Sequence, residues 1–281
     1  MTRTPLRLLL VSAACVAALA ACNRDRKGEQ APAAADNAAN AAATAPAAPA
    51  APMNYESDTP YAEVKLTLPP EIARYPELHA RLYASDVNDL TQFNEGAQAD
   101  HTEEGQDMPA YTREITWSQA GATPRLVSMR KLSFEFTGGA HPNTAFGALL
   151  WDVAGKREVT AAHLFRPGAD LSALDRALCD AINQAKRARV PDAPRITLQG
   201  ARDVVGQCPR AARTPFVLAG SDVAGKAGGL AFLIGPYQVG PYAEGSYEIV
   251  VPQSAFAALL APEWAGEFAG TPPRVGDVTQ L

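Results

Sequence analysis

Three stretches of the chain alternate apolar and polar residues with the period of a β-strand. In YAEVKLTL, Val64, Leu66 and Leu68 share one face against Glu63, Lys65 and Thr67. YTREITW repeats the pattern with Tyr111, Ile115 and Trp117 against Thr112, Glu114 and Thr116, and KLSFEF continues it through Leu132, Phe134 and Phe136. Strands with one polar face predict antiparallel sheets covered on one side. PPEIARYPELHARLYASDVNDLTQF spaces Ile72, Leu78, Leu82, Leu90 and Phe93 at loosely helical steps, and Pro76 is predicted to break the run in two. The strongest helical pattern follows RPGAD: Asp170 is placed to cap it, and Leu171, Leu174, Leu178, Ile182 and Ala185 recur at steps of three and four. A shorter helix, PQSAFAALL, is predicted after the last strand. Strands and helices segregate, which predicts an α+β fold of antiparallel sheets with packed helices in two small subdomains, residues 54–150 and 151–270, followed by a tail, 271–281. The βαβ series that builds nucleotide-binding sheets is missing, and so is any internal repeat.

The N-terminal segment departs from this patterning. Arg3 and Arg7 precede an apolar run from Leu8 to Leu19 that is too short to span a bilayer and ends in small residues, so residues 1–21 read as a secretory signal. Its end, LAAC, resembles the bacterial lipobox, in which the cysteine, here Cys22, carries the lipid and becomes the mature N-terminus. Asn23 stands where lipoproteins kept in the inner membrane often have Asp. The resemblance therefore implies a periplasmic protein lipid-anchored to the outer membrane, with the membrane as partner through Cys22 alone. Residues 22–53 turn to Ala and Pro without large apolar side chains, the composition of a tether. About 30 residues reach roughly 100 Å at full stretch and about 30 Å as a coil. Loss of two arginines with the signal takes the formal charge from −5 to −5 − 2 = −7. An acidic export product does not suit nucleic acid and does suit a basic protein partner.

Two cysteines remain in the body, Cys179 and Cys208, and an even pair in an oxidising compartment reads first as a disulfide. The chain carries no G-x-S-x-G, H-E-x-x-H, P-loop or glycine-rich dinucleotide turn, and no catalytic residue, metal ligand or cofactor is assigned. Of the four histidines, His79 reads as surface or packing, His101 as part of a solvated acidic loop, DHTEEGQD, and His163 as structural. His141 lies in FTGGAHPNT between two strands, where Gly138 and Gly139 allow a tight reversal. It reads either as a hairpin histidine bonded to backbone or as a functional residue.

IGPYQVGPYAEGSYEIVVP repeats Gly-Pro-Tyr within eight residues between two strand-like runs. Pro236 and Pro241 restrict φ, so the segment holds few conformations before a partner arrives. Tyr237 and Tyr242 supply rigid aromatic area of the kind enriched at binding hot spots, and Glu244 adds a charge for a basic partner. The bland alternative is a loop that covers a sheet edge with both rings half buried.

FTGGAHPNT, WDVAGKREVTAAHLF and FLIGPYQVGPYAEGSYEIVVP, in this order and spacing, resemble the signature segments of the exported PdaC/RsiV-like domain family. That family is shared by the accessory region of a peptidoglycan deacetylase and by a lysozyme-sensing anti-sigma factor. The likeness covers most of residues 55–265, and departs from type at Phe136, usually Tyr, and Pro142, usually Gly. It implies a two-part α+β module whose second part resembles a subdomain of the Hsp70 ATPase without its nucleotide site. It also implies binding instead of catalysis, because the deacetylase's chemistry belongs to a separate metal-dependent domain and the anti-sigma factor's module is a receptor for lysozyme. The expected function is a binding module for a cell-wall component such as peptidoglycan, or for a muramidase or lysozyme-type hydrolase. Binding is assigned to Pro236, Tyr237, Pro241, Tyr242, Glu244 and His141. Two alternatives make different demands of the fold. An unrecognised cell-wall hydrolase requires acids converging on His141 near Glu135 or Asp152, and a structural envelope lipoprotein requires a large apolar patch.

Overall fold

A computed structural model describes residues 50–104, 108–198 and 206–279. The signal, Cys22 and all but the last few residues of the tether lie outside the described residues. Strands β1 (Asn54–Asp58) and β2 (Ala62–Thr67) pair antiparallel. A short 3-10 turn, Pro70–Arg74, leads to Pro76, which opens the 29-residue helix α1 (Pro76–Glu104) at a position where its missing N–H breaks no helical bond. The helix crosses over to β3 (Tyr111–Ala122), which lies parallel to β2. An all-antiparallel sheet was the expectation, but a crossover helix returns the chain in the same direction and so sets one parallel pair. β4 (Leu126–Phe136), β5 (Asn143–Asp152) and the short β6 (Arg157–Glu158) then add antiparallel, completing a six-stranded sheet in sequence order. One face packs on α1, where Leu78, Leu82 and Leu90 meet Val64, Leu66, Ile115 and Trp117.

After a single turn, α2 (Ala161–Leu164), comes α3 (Ser172–Arg189). Asp170 stands two residues before the helix and accepts the Ser172 N–H and hydroxyl at 2.9 and 3.0 Å. The second sheet holds β7 (Phe216–Ala219), β8 (Gly229–Ile234), β9 (Tyr247–Pro252) and, after the one-turn helix α4 (Pro262–Ala265), β10 (Gly276–Asp277). It is antiparallel throughout, in the order β10-β9-β8-β7. Leu174, Leu178 and Ile182 of α3 are fully buried on one of its faces against Leu230, Phe232 and Ile249. The other face, Val217, Ala231, Leu233 and Val250, meets Phe146 and Ala148 of the first sheet. Burial on both faces explains why β7 and β8 are apolar at nearly every position instead of alternating.

Residues 48–281 cluster as one compact unit holding both sheets. The expected boundary at residue 150 falls inside β5, and the expected tail supplies β10, paired with β9. PQSAFAALL forms two 3-10 turns, Gln253–Ala255 and Ala257–Leu259, instead of one helix. Cys179 and Cys208 are joined in a disulfide, Cα atoms 5.2 Å apart, tying α3 to the segment before β7.

Candidate functional site

The loop between β8 and β9 is built by its own residue types. Gly235-Pro236-Tyr237-Gln238 closes on itself through the Gln238 N–H to Gly235 O (3.4 Å) and the Gly235 N–H to Gln238 Oε1 (2.8 Å). Proline at the second position and a positive φ at the third are the pattern of a type II turn, whose third residue is ordinarily glycine. Here it is Tyr237, at φ 67° and 45% exposed. Left-handed backbone under a bulky side chain costs of order 1–3 kcal/mol and persists only where the surroundings enforce it. The second repeat follows: Pro241, φ −65°, leads into a 3-10 turn, Tyr242–Glu244, ended by Gly245 at φ 72°. A Cβ at Gly240 would lie 2.4 Å from the Glu244 carboxylate, so a side chain there would have to displace it.

Glu244 is not the outward charge expected of it. Its side chain is 8% exposed and paired with that of Lys186, 3% exposed, at 2.5 Å. The same Nζ donates to Val239 O at 2.7 Å, and the Tyr247 hydroxyl donates to Glu244 Oε2 at 2.9 Å. Burial, then the bond to Glu244, pushes the Tyr247 hydroxyl well above the usual tyrosine range. Arg189, one turn further along α3, donates to the carbonyls of Glu244 and Ser246 at 3.0 and 2.7 Å and lies over the Tyr247 ring. The charged end of α3 thus fastens the loop from inside. Lys186 and Arg189 escaped the sequence analysis. The available signal was a lysine set beside Ile182 and Ala185 in the helix's apolar stripe, a place that requires a buried partner.

The loop's outer side meets the β4–β5 hairpin, whose reversal uses Gly138 and Gly139 at φ 92° and 93°. The His141 ring stacks on Tyr242 with centroids 3.8 Å apart and planes 18° apart; Tyr237 lies 5.5 Å from Tyr242 and 6.1 Å from His141. His141 Nδ1 lies 2.9 Å from Pro142 O, which can only accept, so Nδ1 carries the proton. Nε2 lies 3.1 Å from the Tyr237 hydroxyl, from which it accepts in the neutral ring, while the Tyr242 hydroxyl donates to Pro142 O at 3.2 Å. His141 is thus bonded to backbone, as in the hairpin reading, and its ring also completes a cluster with both tyrosines. Tyr242 and Pro236 are half-buried and Pro241 exposed.

The hydrolase alternative needs acids beside His141, and the structure turns them elsewhere. Glu135 accepts from Arg113 Nε at 2.9 Å. Asp152, 3% exposed, sits 3.7 Å from both Arg125 and Arg157. Among the described residues no group of three or more His, Cys, Asp or Glu side chains is arranged to hold a metal ion. The large exposed apolar residues, Leu132, Val190, Val223, Tyr237 and Val275, are dispersed along the chain. His101 corrects the solvated-loop expectation: α1 runs past it, and its ring is 4% exposed between Tyr61 and Tyr111. His79 is buried with Nε2 3.0 Å from Pro52 O, and His163 is exposed with Nδ1 3.1 Å from Thr160 Oγ1.

Residues 55–144, which end just past His141, match the family model described as Deacetylase PdaC. Residues 162–254, which contain the whole Gly-Pro-Tyr loop, match that of a protein of unknown function (DUF3298). The two matches follow one another along the chain. A DUF3298 family protein of Pseudomonas aeruginosa has a similar fold, with TM-score 0.50 and 16% identity over 79% of this chain and 94% of its own. A member of the same family from Bacteroides fragilis gives TM-score 0.47 and 18% identity over 76% and 93%. No curated protein matches the chain. The aromatic cluster joins the two matched segments: His141 lies in the first and both tyrosines in the second.

Proposed function

We propose that the chain is a non-enzymatic periplasmic lipoprotein, anchored by a lipid on Cys22 to the outer membrane. In this reading its paired Gly-Pro-Tyr loop binds a cell-wall component or a muramidase-type hydrolase. One observation carries the proposal: Tyr237 occupies a left-handed turn position that glycine would fill without strain, yet presents its ring to solvent. A stable fold gains little from that choice, and a binding surface gains a rigid aromatic anchor. The fastening by Lys186 and Arg189 supports it, because a loop already ordered loses less entropy on association. With Glu244 turned inward, attraction of a basic partner rests on the net negative charge, which acts on encounter rate.

The test is a pull-down and lysis-inhibition assay with the soluble fragment from about residue 53, against lysozyme types and peptidoglycan fragments, beside the Tyr237→Gly variant. Micromolar binding lost in the variant is the expected result; no binding by the parent fragment defeats the proposal. Radiolabelled palmitate entering the parent chain but not Cys22→Ser checks the anchor separately.

A further inference from the structure

The first sheet ends on a strand that is only partly covered. β6 is two residues long and pairs with Trp151 and Asp152 of β5. The Val159 N–H extends that ladder by one bond, to Leu150 O at 2.7 Å, and the chain then turns off into α2. Residues of a strand between antiparallel neighbours bond alternately to one side and the other, so this bond fixes the even residues of β5 outward and the odd ones toward β4. Phe146 and Ala148 therefore present their N–H and C=O groups at the open edge. Neither has a bond on that side among the described residues, and both are half-buried, within reach of an approaching chain.

Free strand edges are normally blunted by charge, proline or a covering segment. Ala145-Phe146-Gly147-Ala148-Leu149 carries neither charge nor proline. Where a longer β6 would lie, there is instead a hollow of about 310 Å³, lined by Gly147 and Ala148 of β5, Ala161 of α2, and Ala212 and Pro215 ahead of β7.

The edge and the hollow set the chemistry of an occupant. Backbone donors and acceptors at every second residue match another strand, continuous with the β6 ladder. At roughly 3.3 Å per residue, about four extended residues carry that ladder from Leu150 to Phe146. The volume, at the low end for ligand sites, admits small side chains. The charged wall residues are already engaged, Glu158 with Arg81 and Arg213 as well, which favours an uncharged segment.

We propose that an extended segment of another polypeptide, with small uncharged side chains, adds as a strand along the open edge of β5 and fills the hollow beside β6. The site does not use the Gly-Pro-Tyr cluster and stands or falls independently of it.

The test is calorimetric titration of the full chain with acetyl-Thr-Ala-Val-Ala-Thr-amide and with its fully N-methylated form, while hydrogen exchange of the Phe146 and Ala148 amides is followed by NMR. The expected outcome is saturable binding of the first peptide, at least about tenfold weaker binding of the second, and slowed exchange at both amides on binding. Ala148→Pro removes a receiving N–H without breaking a bond to β4, a position where a strand tolerates proline, and should weaken binding about tenfold with an unchanged circular dichroism spectrum. Ala161→Leu, which narrows the hollow from the α2 side and leaves β5 untouched, should do the same. Equal binding of the two peptides, unchanged exchange at Phe146 and Ala148, indifference to Ala161→Leu, or no binding at all would each overturn the proposal. So would protection of both amides before any peptide is added, the result if a second copy or the chain's own tether held the edge.

Discussion

Replacing Lys186 by Met tests whether the Gly-Pro-Tyr loop is fastened from inside. The lysine and Glu244 side chains are 3% and 8% exposed, so their contact is a desolvated ion pair. Met keeps the length and apolar stem of Lys, which limits the packing change. Its loss leaves a buried carboxylate with the Tyr247 hydroxyl as its remaining side-chain donor, and leaves Val239 O without the Nζ bond. Removing one partner of a buried pair costs about 3–5 kcal/mol. At about 2–4 °C per kcal/mol for a unit of this size, thermal unfolding followed by circular dichroism should shift down by roughly 6–20 °C. Adding Glu244→Gln removes the orphaned charge and should recover about 1–3 kcal/mol, a coupling that a double-mutant cycle reads directly. A Lys186→Met chain within about 1 kcal/mol of the parent would refute the reasoning, since a solvated pair contributes no more than that.

Other outcomes follow from the same structure. The Tyr247 hydroxyl is held above its unfolded value of about 10, so the stability it lends is complete below that pH and is lost as the pH rises above it. Denaturant midpoints measured from pH 9 to 11 should fall for the parent and fall less for Tyr247→Phe. Breaking the Cys179–Cys208 disulfide, which spans 29 residues, by Cys→Ala at both positions should cost about 3–4 kcal/mol in urea unfolding. Asp86, 3% exposed, accepts from Trp117 Nε1 and Lys131 Nζ, both at 2.6 Å. Asp86→Ala strands both donors and should destabilise by about 3–5 kcal/mol, with a change in tryptophan fluorescence. Tyr237→Gly relieves a left-handed residue while losing a ring contact and a hydrogen bond of similar size, so Tm should move by less than about 4 °C.

Legibility from sequence followed burial. β2 and the first half of β3 alternate because α1 covers one face and the other is polar, so Val64, Leu66, Ile115 and Trp117 could be placed correctly. The start of β4 was not legible: Leu126, Val127, Ser128 and Met129 are buried on both faces between α1 and the second sheet, which erases the alternation. β7, four buried residues long, is silent for the same reason. His101 misled because its acidic neighbours suit a loop, while the ring is buried on a helix that exposes Asp100 and Glu103. At the site, both tyrosines and His141 could be named from their turn chemistry, but not their meeting, which joins positions about a hundred residues apart. Glu244 was misjudged because an acid beside glycine looks exposed, and its partner Lys186 stands 58 positions away.

The stacking of His141 on Tyr242 makes the two matched domains interdependent. A chain cut after β5 would keep the imidazole and lose both phenols, and one begun at α3 would do the reverse. Exchanging either half for one with a different hairpin or loop would therefore remove the stacked pair.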